Sequence, residues 1–388
     1  MRKNKNLQLY IHIPFCIRKC AYCDFLSGPA DDKTIECYVE KLMEEIQAHG
    51  ASDLACEAMV TTVFFGGGTP SVLSGSQMKC IMETVKANFD IVEDAEISME
   101  ANPGTVTKEK LDAYREAGIN RISFGLQSAN NEELRLLGRI HTYEEFLESY
   151  ELARECGFDN INVDLISAIP RQTVESWEES LKKVLALEPE HISAYSLIVE
   201  EGTPFYDRYG EGTEGEALLP SEEDERQMYH RTEELLREAG YHRYEISNYA
   251  KPGRECRHNL GYWERKNYLG IGLGASSLID NVRYGNTECL EDYIQFSCEL
   301  NQIQKDREIL SIEEQMEEFI FLGLRKMAGV SLKEFEDIFG LTLEECYGKN
   351  IRNMIEKELL VMEEDVLKLT KVGIDISNYV FTELLYRK

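Results

Sequence analysis

The sequence contains no apolar run long enough to cross a lipid bilayer. Its longest apolar runs, such as VTTVFF and LISAI, fall far short of the roughly 20 residues that a membrane-spanning helix needs. The first residues, MRKNKNLQLYIHI, contain no apolar core of signal-peptide length. We therefore expect a cytoplasmic protein with no transmembrane segment.

Basic residues are also scarce in this chain. Its 388 residues include 42 lysines and arginines against 71 aspartates and glutamates, which gives a formal net charge of −29. Such a chain repels a phosphate backbone unless a local basic face exists, and the sequence shows no basic cluster. We therefore expect no nucleic-acid partner.

Strand-like apolar segments recur along the first half of the chain, and a helical pattern follows each of them. The segments are LQLYIHI, TTVFFGG, EISMEAN, RISFGLQ, INVDLIS and HISAYSLIV. Parallel strands need helical crossovers, so this alternation predicts an α/β fold with a parallel sheet. Six units rather than eight favour an incomplete, open (βα)6 barrel, and a doubly wound sheet is the alternative.

The pattern changes after about residue 301. Three helical segments, starting with SIEEQMEEFIFLGLRKM, precede a hairpin-like LLVMEEDVLKL. This order predicts a barrel domain over residues 1–300 and a small helical, winged-helix-like domain over residues 301–388. The second part has 12 basic and 18 acidic residues. We therefore expect it to pack against the barrel or cover a substrate rather than bind DNA.

Cysteine is present eleven times, but only Cys16, Cys20 and Cys23 cluster, with CxxxCxxC spacing directly after the first predicted strand. A structural zinc site would need a second ligand pair, and covalent heme attachment would need CxxCH. A disulfide would leave one thiol over and does not suit a reducing compartment. A 4Fe-4S cluster held by three thiolates remains, with one iron open to the amine and carboxylate of S-adenosylmethionine.

Polar or glycine residues stand at the ends of the following predicted strands, where barrel enzymes assemble their sites. They are Gly66, Gly67, Gly68, Thr69, Glu100, Gln127 and Asp164, with Arg139 soon after Gln127. The glycine run lacks the lysine of a phosphate loop, but it allows a ligand to approach the backbone. Glu100 could accept hydrogen bonds from the ammonium group of the cofactor.

A second glycine cluster, GIGLGASS from Gly270, matches a dinucleotide-binding pattern only by letter. No clear strand precedes it and no helix follows it in the sequence pattern. We interpret it as a close-packed turn.

The cysteine loop resembles the signature of the radical SAM superfamily. Over most of its length the chain resembles the oxygen-independent coproporphyrinogen III oxidase family, and within it the heme chaperone branch called HemW. The matching segments are YIHIPFCIRKCAYCDF, FFGGGTPS, SMEANPGT, RISFGLQS, LGRIHT, NVDLISAIP and RHNLGYWERKNYLGIGLGAS. Two features favour the chaperone branch: Phe25 stands where the oxidases have a further cysteine, and HNLGYW matches an HNxxYW motif.

The resemblance implies particular roles for the site residues. Cys16, Cys20 and Cys23 would bind the 4Fe-4S cluster, and Tyr10, Gly67 and Glu100 would line the first S-adenosylmethionine site. The remaining matched positions hold a second cofactor molecule or its surroundings in the oxidases; they are Tyr22, Gly68, Thr69, Gln127, Arg139 and Asp164.

His258, the first residue of the HNxxYW motif, is the candidate ligand for heme iron, and Tyr262 and Trp263 would offer flat apolar surface to the porphyrin. The competing interpretation is a histidine whose hydrogen bonds are satisfied within a turn. Cys256 is a weaker candidate for the iron. The chain also departs from its relatives, many of which have GLPGQT where residues 168–173 read AIPRQT, and a histidine in place of Ser276.

Two functions follow from the resemblance. The first is a heme chaperone that binds heme, a cluster and S-adenosylmethionine, delivers heme to heme proteins and could form a homodimer; replacing His258 by alanine would weaken heme binding. The second is a radical enzyme that decarboxylates coproporphyrinogen III oxidatively to protoporphyrinogen IX. Radical chemistry on another substrate also remains open.

Overall fold

Six parallel strands form the centre of the structure, a computed structural model that describes residues 5–385. Each strand pairs with the next one along the chain. The strands are β1 Lys5–Ile13, β2 Ala58–Gly67, β3 Ile91–Ala101, β4 Arg121–Gln127, β5 Ile161–Ser167 and β6 His191–Ser196. The helices that connect them are α1 Asp32–Gly50, α2 Asp53–Glu57, α3 Gly75–Asn88, α4 Lys108–Ala117, α5 Asn131–Leu137, α6 Tyr143–Glu155 and α7 Val174–Leu185. These units confirm the predicted (βα)6 arrangement.

The chain after β6 extends the sheet at both edges. The elements are α8 Pro204–Tyr209, α9 Glu222–Glu238, β7 His242–Arg243, β8 Asn248–Ala250, α10 Arg257–Trp263, β9 Tyr268–Ile271, β10 Ser276–Ile279, β11 Val282–Asn286, α11 Leu290–Phe296, α12 Leu300–Ile303 and β12 Gln304–Ile309. Short 3₁₀ turns occur at Pro70–Val72 and Glu216–Leu218. β9 pairs with the free edge of β1, and β8 pairs with the free edge of β6. The barrel is therefore open between its first and last parallel strands.

A smaller unit of helices and a three-stranded sheet follows. It consists of α13 Ile312–Gly323, β13 Val330–Ser331, α14 Leu332–Phe339, α15 Leu343–Glu356, β14 Leu360–Glu363, β15 Val366–Leu369, α16 Lys371–Asp375 and α17 Ser377–Glu383. The order confirms the predicted helical, winged-helix-like region. Buried Glu318 on α13 binds Arg265 at 2.9 Å and Arg283 at 2.6 Å, which ties this unit to the large sheet.

Alternation along the strands explains which side chains face the site. On β1, Leu7, Leu9 and Ile11 are fully buried in the core between sheet and helices. Gln8 and His12 point to the opposite face, because successive strand residues alternate. The same alternation on the other strands fills the inside of the open barrel with polar side chains.

Two details differ from the sequence expectations. A strand, β9, does precede the glycine cluster at Gly270, so the prediction that no strand stands there is wrong, although β10 rather than a helix follows the turn. The division at residue 301 stays a prediction, but β12 pairs with β11 in the large sheet and lies beyond that division.

Candidate cofactor site

The three clustered cysteines lie half-buried on the loop between β1 and α1. No cysteine among residues 5–385 forms a disulfide. Two polar side chains reach the clustered sulfurs: Thr69 Oγ1 donates to Cys16 Sγ at 3.4 Å, and Arg139 Nη1 donates to Cys20 Sγ at 3.4 Å. The loop therefore presents thiols that are already supported by hydrogen-bond donors.

The donor set of this loop fits an iron-sulfur cluster better than a single metal ion. Within the described part of the chain, no three histidine, cysteine or acidic side chains could hold one metal ion. Each thiolate of a 4Fe-4S cluster binds a different iron, so cluster ligands surround a volume instead of meeting at a point. Hydrogen bonds to two of the sulfurs and the charge of Arg139 would stabilise the bound thiolates.

A cavity of about 430 Å³ opens beside the cysteine loop, at the carboxyl ends of the parallel strands. The structure brings nearly all of the predicted site residues to its wall. They are the three cysteines together with Tyr22, Gly67, Gly68, Thr69, Glu100, Gln127, Arg139 and Asp164. Parallel strands place their ends at one edge of the sheet, which is why residues far apart in sequence meet here.

At two positions of the glycine run, the backbone conformation or the packing requires a residue without a side chain. Gly67 has a φ of +107°, which L-residues rarely adopt. A Cβ on Gly68 would stand 2.7 Å from the carbonyl oxygen of Phe15, so the β2 end could not approach the cysteine loop so closely. Both glycines thus allow backbone to form the cavity wall.

Two carboxyl groups face the cavity and influence each other. Glu100 Oε2 accepts a hydrogen bond from the Gly67 backbone N–H at 3.1 Å. Burial, and after it the negative charge of Asp164, raises the pKa of Glu100 to about 8. Burial also raises the pKa of Asp164, against hydrogen bonds from Ser123 at 3.0 Å and Asn162 at 2.7 Å. A cation entering the cavity would relieve this unfavourable pairing.

Asn102 is a site residue that the sequence analysis missed. Its Nδ2 donates to Thr69 Oγ1 at 2.9 Å, and its Oδ1 accepts from Arg139 Nη2 at 2.7 Å. Asn102 thereby connects the donors of two cluster cysteines. The available signal was its place two residues after Glu100, which puts it on the same face at the end of β3.

Tyr10 is not among the residues that line the cavity. Its hydroxyl lies 3.0 Å from Nδ1 of His12, and its ring stacks on Phe64 at a centroid distance of 6.3 Å. The other ring nitrogen of His12 bonds the carbonyl oxygen of Leu26 at 3.0 Å. His12 therefore contacts the cysteine loop through Leu26, and neither Tyr10 nor His12 lines the cavity that would hold the predicted ligand.

His258 lies away from the cavity and is 1% exposed. Its Nδ1 is 2.7 Å from Thr62 Oγ1, its Nε2 is 3.0 Å from the Tyr262 hydroxyl, and its ring stacks on Phe64 at 5.1 Å. Burial lowers the pKa of His258 to about 3. Neither ring nitrogen is available to iron in this conformation, so the ligand role stays a prediction that requires α10 to move.

The HNxxYW motif closes the end of the barrel opposite to the cysteine loop. Glu96 accepts hydrogen bonds from the backbone N–H groups of Arg257 at 3.0 Å and His258 at 3.1 Å, at the start of α10. Glu96 is five residues before the end of β3, which corresponds to roughly 16 Å along the strand. Trp263 is covered by the Arg325 guanidinium at 4.5 Å from its ring centroid. The motif thus serves packing in this structure.

Cys256, the weaker candidate for iron, is fully buried. Its Sγ lies 3.5 Å from Glu96 Oε1, and burial raises the pKa of the thiol to about 12. A thiol held protonated and enclosed in this way is a poor metal ligand.

The loop in which this chain departs from its relatives has an unusual backbone. Ala168 and Arg171 both have positive φ, of 60° and 66°. These are the two positions at which many relatives were expected to have glycine. The loop therefore keeps a conformation suited to glycine while carrying side chains that strain it.

Comparisons with known proteins agree with this geometry. The sequence profile of the Radical SAM superfamily matches residues 10–184, and that of the HemN C-terminal domain matches residues 310–376. In the solved structures, coproporphyrinogen III oxidase (HemN) from Escherichia coli superposes with a TM-score of 0.85 at 24% identity, over 98% of this chain and 90% of that chain. The open barrel and the cysteine loop are thus those of the radical SAM class.

Full-length relatives identify the family within that class. The heme chaperone HemW of Lactococcus lactis is 37% identical over 97% of this chain and 96% of its own length. The heme chaperone HemW of Bacillus subtilis is 39% identical over 97% of this chain and 98% of its own length. The chain belongs to the HemW family of heme chaperones. No helix among residues 5–385 is long and apolar enough to cross a membrane.

Proposed function

We propose that this chain is a heme chaperone that binds a 4Fe-4S cluster, S-adenosylmethionine and heme and delivers the heme to heme proteins. The observation that supports it most directly is the CxxxCxxC loop beside a cavity lined by Glu100, Arg139 and Asp164, in a chain whose full-length relatives are heme chaperones. The family membership favours this function over the oxidase alternative.

Cys16, Cys20 and Cys23 would hold the cluster, with Thr69 and Arg139 as hydrogen-bond donors to two of the sulfurs. A cluster bound through three protein thiolates supplies electron transfer and one iron with an exchangeable position. The guanidinium of Arg139 offsets part of the negative charge that three thiolates bring into the loop. The loop thereby keeps these charges in place beside the cavity.

The cavity would hold S-adenosylmethionine by its charged groups. Glu100 would accept hydrogen bonds from the ammonium group, and Gly67 and Gly68 would let the amino-acid end approach the backbone. The cation would favour the ionised form of Glu100, because it offsets the repulsion from Asp164. Binding would therefore remove a proton from Glu100 at neutral pH.

The experiment is heme binding and transfer by the anaerobically reconstituted protein. Heme is titrated into the protein and the absorbance of its Soret band is followed; the complex is then mixed with an apo heme protein. Binding, followed by recovery of the acceptor's holo spectrum, supports the proposal. Absence of binding by protein with an intact cluster spectrum contradicts it.

The oxidase alternative is tested in the same preparation. Coproporphyrinogen III, S-adenosylmethionine and a reductant are added, and porphyrinogen products are separated. We expect no protoporphyrinogen. Size-exclusion chromatography with and without heme tests the proposed homodimer, which would elute at twice the mass of the 44.6 kDa chain.

A further inference from the structure

Large apolar side chains are exposed around the mouth of the cofactor cavity. Four such side chains in residues 5–385 are exposed by 60% or more: Ile309 at 78%, Ile198 at 67%, Phe25 at 62% and Ile17 at 60%. Three of them lie on the cysteine loop or on the segment after β6, and Phe25 and Ile198 both line the cavity. Exposed apolar groups gathered in this way mark a binding surface more often than scattered ones do.

Phe25 and Ile198 come from opposite sides of the opening in the barrel. Phe25 follows β1 through the cysteine loop, and Ile198 follows β6. β1 and β6 are the first and last of the six central parallel strands, and they do not pair with each other to close the barrel. Side chains on the two segments therefore border a gap that the fold leaves open, and a flat ligand can enter such a gap.

The same mouth carries two basic side chains, in a cavity that Asp24 and Glu200 also line. Arg18 and Lys19 are exposed and line the cavity. The Arg18 guanidinium makes no ion pair or hydrogen bond to another described residue, and Lys19 Nζ donates only to the carbonyl oxygen of Phe25, at 2.8 Å. Neither side chain forms an ion pair with a carboxylate among residues 5–385, so both can pair with an anionic ligand.

These features fit one chemical class of ligand, a flat apolar ring that carries carboxylates. We infer that the cavity mouth is the heme site, with Phe25 and Ile198 against the faces of the porphyrin and Arg18 and Lys19 paired with its two propionates. The inference rests on the proposed heme-binding function and locates it. It places heme next to the cluster loop and not at His258, whose ring is enclosed at the other end of the barrel.

The first test compares heme affinity in Phe25→Ala and Ile198→Ala with that of the wild type. Loss of an aromatic stacking surface is expected to weaken binding about tenfold for Phe25→Ala. Ile309→Ala is the matched control, because Ile309 is equally exposed but lies on β12, away from the cavity. The cluster spectrum and iron content of each variant show whether the loop is intact.

The second test concerns the charges. Heme affinity of the wild type is expected to fall with rising salt, and Arg18→Gln is expected to lower affinity about threefold at low salt and to reduce that salt dependence. Lys305→Gln, an exposed lysine on β12, is the control and should behave as the wild type. Metal-free protoporphyrin IX should compete with heme, because the site recognises the ring and its carboxylates and not the iron.

The outcomes separate this inference from the proposed function. If the wild type does not bind heme, the proposed function fails. If the wild type binds heme but Phe25→Ala and Arg18→Gln bind it equally well, or if protoporphyrin IX does not compete, heme binds elsewhere and the inference is wrong. If Phe25→Ala weakens S-adenosylmethionine binding as much as heme binding, Phe25 serves the cofactor and the heme assignment is overturned.

Discussion

Asn102 Oδ1 accepts a hydrogen bond from Arg139 Nη2 at 2.7 Å, and this contact links the two side chains that donate to cluster cysteines. Nδ2 of the same amide donates a hydrogen bond to Thr69 Oγ1. One side chain therefore contacts the donors to both Cys16 and Cys20, and Arg139 Nη2 also donates to the carbonyl oxygen of Gly125 at 2.6 Å. Hydrogen bonds to cluster sulfurs stabilise the reduced, more negative state and so raise the reduction potential.

We expect Asn102→Ala to lower the cluster's reduction potential. Weakening a hydrogen bond to a cluster sulfur by about 1.4 kcal/mol corresponds to a shift of about 60 mV for a one-electron couple. The measurement is a redox titration followed by electron paramagnetic resonance, at matched iron content. Thr69→Val, which removes one donor directly, should shift the potential in the same direction; an unchanged potential in both variants would contradict the role of this network.

S-adenosylmethionine binding should depend on pH through Glu100. The pKa of Glu100 is about 8, so most of this carboxyl is protonated at pH 7 and ionised at pH 9. The cationic cofactor prefers the carboxylate, but its own α-ammonium group loses its proton near pH 8, so affinity should rise about two- to threefold from pH 7 to a maximum near pH 8 and fall above it. Isothermal titration calorimetry in two buffers of different ionisation enthalpy should show proton release at pH 7.

Glu100→Gln supplies the control for that dependence. The amide keeps the shape of the side chain but cannot ionise, so affinity should be lower and should show no rise between pH 7 and pH 8. A rise in affinity between pH 7 and pH 8 that persists in Glu100→Gln would assign the titration to another group.

Arg171→Gly should stabilise the protein. Arg171 is exposed and has a φ of 66°, which costs an L-residue about 1–2 kcal/mol relative to glycine. Part of this gain is offset because glycine makes the unfolded chain more flexible. We expect a net increase of about 1 kcal/mol in the free energy of unfolding, measured by chemical denaturation. Arg171→Ala removes the same side chain but keeps a Cβ, so it should give no such gain.

His258→Ala should destabilise the fold. It removes contacts with Thr62, Tyr262 and Phe64 and leaves a buried cavity, which should cost about 3 kcal/mol. Tyr262→Phe, which loses one hydrogen bond but keeps the ring, should cost about 1 kcal/mol. Denaturation curves measure both variants.

Heme titration of the folded His258→Ala protein decides between the two possible positions of heme. Heme at the cavity mouth predicts affinity within about twofold of the wild type, because His258 lies at the far end of the barrel. A loss of tenfold or more in folded protein would support iron ligation by His258 and a movement of α10.

Local patterns were sufficient to predict the central elements. The segments RISFGLQ and INVDLIS are the observed strands β4 and β5, residue for residue. The helical pattern that follows the first strand-like segment is observed as α1, Asp32–Gly50. Such segments have clear apolar periodicity, and their backbone hydrogen bonds form within the segment or with the next unit along the chain. Residues nearby in sequence are therefore sufficient to determine their secondary structure.

The short strands near the glycine cluster were not predicted, because their structure depends on residues far away in the sequence. β9 has only four residues, and it is a strand because it pairs with β1, more than 250 residues earlier. A pattern of four residues carries little periodicity. Its structure depends on an edge of the sheet that forms from distant parts of the chain.

Sequence patterns were sufficient to predict the strand and helix order, the cysteine loop and the strand-end residues of the cavity, because each of these depends on short-range pattern and on the rule that parallel strands end at one edge. The packing of distant elements was needed to show that Asn102 joins the donors of two cysteines and that Tyr10 is not part of the cavity lining. It also decided that His258 is enclosed by Thr62 and Tyr262. Burial and hydrogen-bond partners arise between elements far apart in the chain, and residue type alone does not specify them.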